Sequence, residues 1–527
     1  MYRIMVSDPL EKTGLAQLRA SGHEVTELPA EDKDKLHELI DGYDALVVRS
    51  GTQVTADLLK AGKTLKVVGR AGIGVDNVDT QAATELGILV VNAPTANLIS
   101  ATEHTFALML GLARNIGKAD ADIKGENWNR KKFVGTELQN KKLGVIGFGR
   151  IGQAVARRAQ AFDMEILAYD PFLPDDLVRK LDAEPRTLDA LMAEADVVTL
   201  HVPLTDETRG LLTGERLRKM KEGSMLVNCA RGGVVDEDTL LELLDSGHLA
   251  GAALDVFSQE PPVDYRLAAH DRVIATPHLG AQTSEAQVRI STQTAKMVLA
   301  ALDGSLAVTA VNLPFRPAGA SGEPFLRLAE KLGRLAAALG PGSLSKVEVE
   351  LQGLSEDLHV PVTIAAVKGA LTRPLGSAVN YVNAETVAKD RGIEIRRIVT
   401  AAEAGYPNQV VVRLTCGGGE DVEARGALFH GHDARIVGLR GYQLEFRPKG
   451  NVLVVQNHDV PGVVGQVGTR LGSAEVNIAE IHLARRPGTD RALAVVRLDQ
   501  EVSDDVLGGL RELDAVDSVD LLDLGEV

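Results

Sequence analysis

Cysteine is nearly absent: Cys229 and Cys416 are the only two among 527 residues. That excludes a disulfide framework, offers no zinc-ligand spacing and makes a reducing cytoplasm the expected compartment. Aromatic residues are scarce too, 3% of the chain with one tryptophan, and no interleaving with basic residues marks a nucleic-acid surface. Positive charge is in deficit, 57 Lys and Arg against 73 Asp and Glu for a net charge of -16. General attraction to phosphate backbones or anionic lipid is therefore disfavoured, and any anion site has to be built locally. No uninterrupted run of about 18 apolar residues occurs. The opening MYRIMVSDPLEKTG lacks a basic flank followed by an apolar core, so neither secretion nor membrane spanning is expected.

What is present is ordinary globular material, 45% apolar and 25% charged, in a length that suits three or four domains. Short apolar runs at Ile4–Val6, Ala45–Val48, Leu65–Gly69 and Ile88–Val91 alternate with helix-compatible stretches, which predicts parallel βα units. A helix is expected from Ser100 to Ala113, and a second βα series opens with Leu143–Ile146. The small and proline residues between Pro314 and Pro324 predict a linker. Beyond it, Leu328, Leu332, Leu335 and Leu339 repeat at helical spacing and Lys346–Leu351 alternates as a half-buried strand. From Asn451 the order reads βαββαβ, its last helix capped by Ser503. The expected fold is α/β, with two Rossmann-like parallel-sheet domains, then an α+β intervening domain, then a separate ferredoxin-like module.

The strand KLGVIG runs into Gly147-Phe148-Gly149-Arg150-Ile151-Gly152, followed by a helix marked by Ile151, Val155, Ala159 and Phe162. Gly147 permits the tight turn, Gly149 the approach of a pyrophosphate and Gly152 close helix–strand packing, while the helix start offers free N–H groups. Asp170 ends the next strand, where it accepts from ribose hydroxyls and repels a 2′-phosphate, so NAD is expected over NADP. The alternative is a glycine-rich turn without a cofactor, and a second stretch, Gly72-Ile73-Gly74, reads as a ligand-facing loop. Arg231 in NCARGG, Glu260 in FSQEPP and His278 in TPHLG lie at strand ends of the second series. Moving a hydride to and from a 2-hydroxy acid requires a base for the hydroxyl proton, a cation for the carboxylate and the cofactor nearby. His278 suits the first role with Glu260 orienting its ring, and Arg231 suits the second by holding the carboxylate bidentately. Taken singly, each also reads as a packed loop histidine, a rim glutamate and a solvated arginine.

With VGRAGIGVDNVD, LHVPLT, VNCARGGVVDE, GAALDVF and TPHLGAQTSEAQ added, the first 314 residues resemble the D-isomer-specific 2-hydroxyacid dehydrogenases, in their long, phosphoglycerate-oxidising branch. The resemblance implies a substrate domain from residues 1–98 and 286–314, an NAD-binding domain over 99–285, an intervening domain over 315–447 and an ACT regulatory domain over 448–527. It implies NAD-dependent oxidation of 3-phosphoglycerate at the head of L-serine synthesis, in a cytoplasmic homodimer or homotetramer. Arg231, Glu260 and His278 become the catalytic set. Gly72, Ile73, Gly147, Gly149, Arg150, Ile151, Gly152, Asp170, Val202, Cys229, Ala230, Arg231, Asp255, His278 and Gly280 line the cofactor, with Asp255 at the nicotinamide amide and Cys229 a packed residue. Arg49, Ser50, Gly74, Asn97, Arg130, Arg231 and His278 face substrate, Arg130 reaching a neighbouring subunit, although Ala96 stands where relatives have glycine. Arg49 is the choice for the phosphate, while Arg70, Lys131 and Lys132 also read as surface charge. QNHDVPGV and VNIAEI resemble the serine-binding module, which gives Asn457, Asp459 and Asn477 as regulatory residues with L-serine as effector; His458 also reads as part of a cap. His432, Arg435 and Arg440 form a candidate anion site or a solvated face. The same catalytic trio would serve a glyoxylate or hydroxypyruvate reductase, and the fold would serve an NAD-sensing binding protein.

Overall fold

The computed structural model describes residues 1–305, 309–316, 319–402, 405–417, 421–486 and 488–525. Five short strands, β1 (Arg3–Val6), β2 (Glu24–Glu27), β3 (Ala45–Val48), β4 (Val67–Arg70) and β5 (Leu89–Asn92), form a parallel sheet in the order β2-β1-β3-β4-β5. A second parallel sheet holds β6 (Lys142–Ile146), β7 (Glu165–Tyr169), β8 (Glu184–Pro185), β9 (Val197–Leu200), β10 (Met225–Asn228), β11 (Gly251–Leu254) and β12 (Val273–Ala275) in the order β12-β11-β10-β9-β6-β7-β8. Every residue of β3, β9, β10 and β11 is buried. Helices cover both faces, which is why these strands read as unbroken apolar runs rather than alternating ones. Ala275, Leu254, Asn228, Leu200, Ile146 and Tyr169 stand in register across six neighbouring strands. The loops that follow them therefore leave one straight edge of the sheet, and the candidate residues are carried on those loops.

Two long helices join the sheets. Leu98–Ala113 packs on the helix Arg150–Gln160 and on β11, while Ser284–Leu302 returns to pack on the helix Lys12–Ala20 and on β4 and β5. That return needs glycine: a Cβ on Gly14 would lie 2.0 Å from Ser291 Oγ, and one on Gly69 2.3 Å from Val298 Cγ2. The helix after the glycine turn ends at Gln160, so Phe162 is not on its apolar stripe as expected; it is half-exposed and stacks on Phe106, centroids 5.5 Å apart.

The expected linker is only partly one. Val91 bridges Ala310, and Asn312 accepts from Val90 N–H (2.8 Å) and donates to the Ile88 carbonyl (2.9 Å), so the chain leaves pinned to β5. A helix then spans Gly319–Leu339 with Pro324 inside it; residues 317 and 318 of the segment lie outside the described residues. Burial of Leu328, Leu332, Leu335 and Leu339 along one stripe outweighs the single N–H that Pro324 lacks.

The third sheet, β13 (Leu344–Gln352), β14 (Glu394–Thr400), β15 (Gln409–Cys416), β16 (Asp421–Phe429), β17 (Asp433–Leu439) and β18 (Tyr442–Phe446), runs β14-β13-β15-β16-β17-β18. The fourth, β19 (Asn451–His458), β20 (Ile478–Arg485), β21 (Arg491–Leu498) and β22 (Val516–Asp523), runs β20-β21-β19-β22 in the expected βαββαβ order. It is not a separate module. Leu453, Val455 and Val496 pack under its own two helices, but Val452, Val454, Leu493 and Val495 on its other face belong to the core of the preceding domain. The unbroken apolar runs VLVV and ALAVV record that double burial. Ser503 sits at the N-cap of the last helix, yet its side chain makes no capping bond, contrary to expectation.

The helices Gly319–Leu339 and Glu356–Leu375 cross in backbone contact, because a Cβ on Gly333 would lie 2.1 Å from the Ala366 carbonyl and one on Gly369 2.0 Å from that of Glu330. Gly333→Ala is expected to destabilise the C-terminal half by about 1–3 kcal/mol through overpacking, whereas Gly508→Ala, at a helical site with open space around it, is expected to stabilise slightly. Urea midpoints of the two variants check this; an unchanged midpoint for Gly333→Ala would refute the close approach.

Candidate active site

β6 ends in the turn that the glycine pattern requires. Gly147 has φ +86° and lies so close to β9 that a Cβ would meet the His201 carbonyl at 2.6 Å, while a Cβ on Gly152 would meet the Gly147 carbonyl at 2.1 Å. Gly149 faces open space and serves as N-cap of Arg150–Gln160 without a side-chain bond, so the first-turn N–H groups are left for an anion. Arg150 is exposed there, Ile151 is half-buried, and Val202 stands beside Gly147. At the end of β7, Asp170 accepts from Phe148 N–H with Oδ2 (2.9 Å) and from Phe172 N–H with Oδ1 (3.0 Å). Each oxygen keeps a lone pair, so the carboxylate is fixed in place and still able to accept. These residues fit a dinucleotide: the turn leaves a cradle at Gly149 that no protein atom fills.

The catalytic end is organised by Asp255, 1% exposed. Its Oδ1 accepts from Thr276 Oγ1 (2.6 Å), Leu279 N–H (2.7 Å) and His104 Nε2 (3.1 Å), and Oδ2 from Gly280 N–H (2.8 Å). Burial alone would raise its pKa, but the His104, Thr276 and Leu279 donors together hold it below the usual range. His278 N–H also bonds the Asp255 carbonyl (2.9 Å), which secures His278 in the left-handed conformation, φ +54°. Its Nδ1 meets Glu260 Oε2 at 2.7 Å, and Glu260 Oε1 accepts from Phe257 N–H (3.2 Å). With Nδ1–H committed to the carboxylate, Nε2 is the nitrogen left to act as base. Burial, then the Asp255 charge, pushes the Cys229 thiol up to about 12. Although Cys229, His104 and Asp255 place ligand atoms within 4.8 Å of one another, a protonated thiol and a carboxylate filled by four donors do not make a metal site.

The first sheet supplies the opposite wall. Val48 and Arg70 are in register on β3 and β4, so Arg49 follows one residue beyond the level of Arg70, near enough for its charge to act on it, with Ser50 exposed next to Arg49. Arg49 gives its N–H to Asp8 (2.7 Å), and its guanidinium bonds only the Pro9 carbonyl (3.4 Å) among the described residues. Arg70 is no surface charge. Its guanidinium lies against Gly72, and burial followed by the neighbouring Arg231 lowers its pKa to about 10. Asn92 Nδ2 holds the Ile73 carbonyl (2.6 Å) and so fixes the Gly72–Gly74 loop. Arg231 crosses from the second sheet to that loop, close enough that a Cβ on Gly74 would lie 1.9 Å from Nη2. It is not free to grip a carboxylate with two arms, as expected from sequence: Nε donates to Asp76 Oδ2 (2.9 Å) and Nη1 to the Ala230 carbonyl (2.7 Å). Asn97 starts the helix Leu98–Ala113 with a buried Oδ1 that has no partner among the described residues.

Some expected groupings do not form. Arg130, with Lys131 and Lys132, lies exposed on the turn Arg130–Phe133, whose chain continues past Thr136 N–H on the Ala113 carbonyl, at the helix end remote from Asn97. It is therefore not in the cleft of its own chain. Asn457 and Asp459 lie at the end of β19 where Asp459 pairs with Arg485 (3.1 Å), but Asn477 precedes Ile478, which aligns through Leu498 with Asn451 at the other end. One chain thus separates them by the length of a strand, about 20 Å; the sequence places them in one motif but not on one sheet edge. Asn457 is buried and donates to the His458 carbonyl (2.6 Å), Asn477 donates to Asp499 (2.6 Å), and His458 stands between Asp490 and Asp517. His432, Arg435 and Arg440 do not converge on an anion: Arg435 is paired with Asp433 (2.8 Å), Arg440 bonds Gln456 (3.0 Å) and the Leu339 carbonyl, and His432 bonds the His430 carbonyl (2.9 Å).

The NAD-binding-domain model of the D-isomer specific 2-hydroxyacid dehydrogenases matches residues 106–280, and the D-3-phosphoglycerate dehydrogenase intervening-domain model matches 322–440. A D-3-phosphoglycerate dehydrogenase of Bacillus subtilis is 41% identical over 99% of this chain and 100% of its own. The chain belongs to the D-3-phosphoglycerate dehydrogenase family. Solved structures share part of the chain: a glyoxylate reductase from Paecilomyes thermophila (30% identical, TM-score 0.55) covers 59% of this chain and 98% of its own. D-lactate dehydrogenase from Aquifex aeolicus, complexed with NAD and lactic acid (31%, TM-score 0.52), covers 58% and 96%. As in the family, the cofactor of this dehydrogenase is NAD. No helix among the described residues is long and apolar enough to cross a membrane.

Sequence reasoning missed His104, Asp76 and Thr276 and set Arg70 aside. The only signal for His104 was its spacing of four from Ser100, whose hydroxyl bonds the Gly280 carbonyl (2.9 Å) on the same helix face. Asp170→Ala is expected to weaken NAD about tenfold and to narrow the preference over NADP, because acceptor and repelling charge go together. Isothermal titration with both cofactors checks this; an unchanged ratio would remove Asp170 from the ribose.

Proposed function

We propose that this chain oxidises 3-phosphoglycerate to 3-phosphohydroxypyruvate with NAD, the first step of L-serine synthesis. What carries the reading is that the likeness to the B. subtilis enzyme covers 99% of this chain, whereas the likeness to the glyoxylate reductase covers 59% of it. The hydrogen-bonded Glu260–His278 pair favours catalysis over NAD sensing alone. NAD, when bound, supplies the hydride acceptor. The substrate 2-hydroxyl gives its proton to Nε2 of His278 as the C2 hydrogen leaves as hydride and the C2–O bond becomes a carbonyl. Glu260 keeps Nδ1–H directed and stabilises the imidazolium that results. Arg231, beside the Gly74 backbone, receives the carboxylate, and Arg49 and Arg70 take the phosphate end with Ser50 and Asn97 near by. Asp255, buried and already filled by four donors, does not itself accept from the nicotinamide amide as the sequence suggests but holds the loop of Leu279 and Gly280 in place, and Gly72, Ile73, Ala230 and Gly280 line the nicotinamide end. Arg130 serves the cleft of a second copy, in a homodimer or homotetramer. We place the protein in the cytoplasm, where both cysteines stay as thiols.

His278→Ala is expected to reduce kcat by more than about a thousandfold with NADH affinity retained, read by absorbance and fluorescence titration. Turnover within tenfold of wild type would overturn the role of His278.

L-Serine acts as feedback effector in this reading. Because Asn477 and Asp459 lie at opposite ends of one sheet, a site that uses both is completed by two copies. Serine is expected to bind the oligomer and to inhibit, and both Asp459→Ala and Asn477→Ala are expected to weaken binding at least tenfold, measured by calorimetry. Equal inhibition of all three proteins would move the site elsewhere.

A further inference from the structure

The cleft contains a carboxylate that no step of the reaction uses. Asp76 belongs to the loop 71–77 after β4, which Asn77 ties to the turn that follows β3 by donating to the carbonyls of Arg49 and Thr52, 2.6 Å each. Its Oδ2 reaches across to Arg231 Nε at 2.9 Å. The same oxygen would lie 2.7 Å from a Cβ on Gly74, whose other near neighbour is Arg231 Nη2. Asp76 therefore lies along the Nε/Nη2 edge of the guanidinium, the side-on edge that grips a carboxylate with two parallel bonds. The remaining arm, Nη1, is turned back to the Ala230 carbonyl at 2.7 Å. A substrate carboxylate cannot take the side-on edge while Asp76 holds it.

We propose that Asp76 is a resident stand-in for the substrate carboxylate, and that productive binding exchanges one carboxylate for the other on Arg231. The inference rests on the proposed role of Arg231. The exchange is easy: the pair is a single contact with Asp76 nearly half exposed, and ion pairs of that kind are weak. It also keeps Arg231, which lies near the part-buried cation Arg70, neutralised when the cleft is empty, where two guanidinium groups would repel. An acid that reaches only Arg231 has to beat Asp76 unaided, whereas a phosphorylated acid brings a second anchor at Arg49. Asp76 thus sets the threshold that unphosphorylated acids must cross, and it is a specificity-determining residue for the proposed reaction.

The test compares Asp76→Asn and Asp76→Glu with wild type, using acetate and inorganic phosphate as competitive inhibitors against 3-phosphoglycerate. Asp76→Asn is expected to lower the KM for 3-phosphoglycerate and the Ki for acetate about three- to fivefold, as loss of one exposed ion pair allows. The Ki for phosphate is expected to change by less than twofold, and Asp76→Glu, which keeps the competing charge, to stay within twofold throughout. A raised or unchanged KM in Asp76→Asn overturns the proposal, and so does equal tightening of acetate and phosphate, since that reports net charge rather than exchange at one edge. Arg231→Ala separates the two readings: if it leaves turnover intact, the role of Arg231 is wrong, whereas if turnover collapses and Asp76→Asn shows no gain for acetate, only the exchange is wrong.

Discussion

The buried carboxylate of Asp255 is the point on which the catalytic half depends. A charge taken out of water costs several kcal/mol unless its lone pairs are filled, and here two backbone N–H groups, a threonine hydroxyl and a histidine ring fill them. The two N–H groups belong to Leu279 and Gly280, so satisfying Asp255 and shaping the loop that carries His278 are the same event. The left-handed backbone at His278 is maintained because releasing it would strip bonds from that carboxylate. His104 and Ser100 extend the arrangement to the helix between the domains, so hinge and catalytic loop are held together.

Charge is managed just as locally. In a chain of net charge -16, three arginines meet at one cleft, and burial first and the neighbouring Arg231 second lower the pKa of Arg70. A multiply charged anionic substrate relieves that repulsion. The arrangement is therefore more favourable with an anion in the cleft than without.

The C-terminal half obeys a different constraint. Both faces of its last sheet are buried, one under its own helices and one against the helix Gly319–Leu339 and its neighbours. The last sheet thus shares one body with the intervening domain, which Asn380 fastens to the Gly87 carbonyl beside the first sheet (2.6 Å).

The residues by themselves determined the βα alternation, the dinucleotide turn and the strand-end residues Arg231, Glu260 and His278, because each rests on local rules: apolar runs of strand length, glycines at fixed offsets, loops at sheet edges. The sequence read the strands of the last domain correctly and its independence wrongly, since periodicity reports that a face is apolar and not what covers it. Arg70 and Asp76 stood in a recognised motif without a role, and His104 was unmarked, for a related reason. They acquire meaning only when β4 lies beside β3 and when a helix and a loop 151 residues apart meet at Asp255. The placement of Asn457 and Asn477 shows the converse: sequence proximity within one small domain suggested one pocket, and antiparallel pairing put them at opposite ends. Which side chains meet is decided by strand register and by domain packing, and both depend on contacts between residues far apart in the chain.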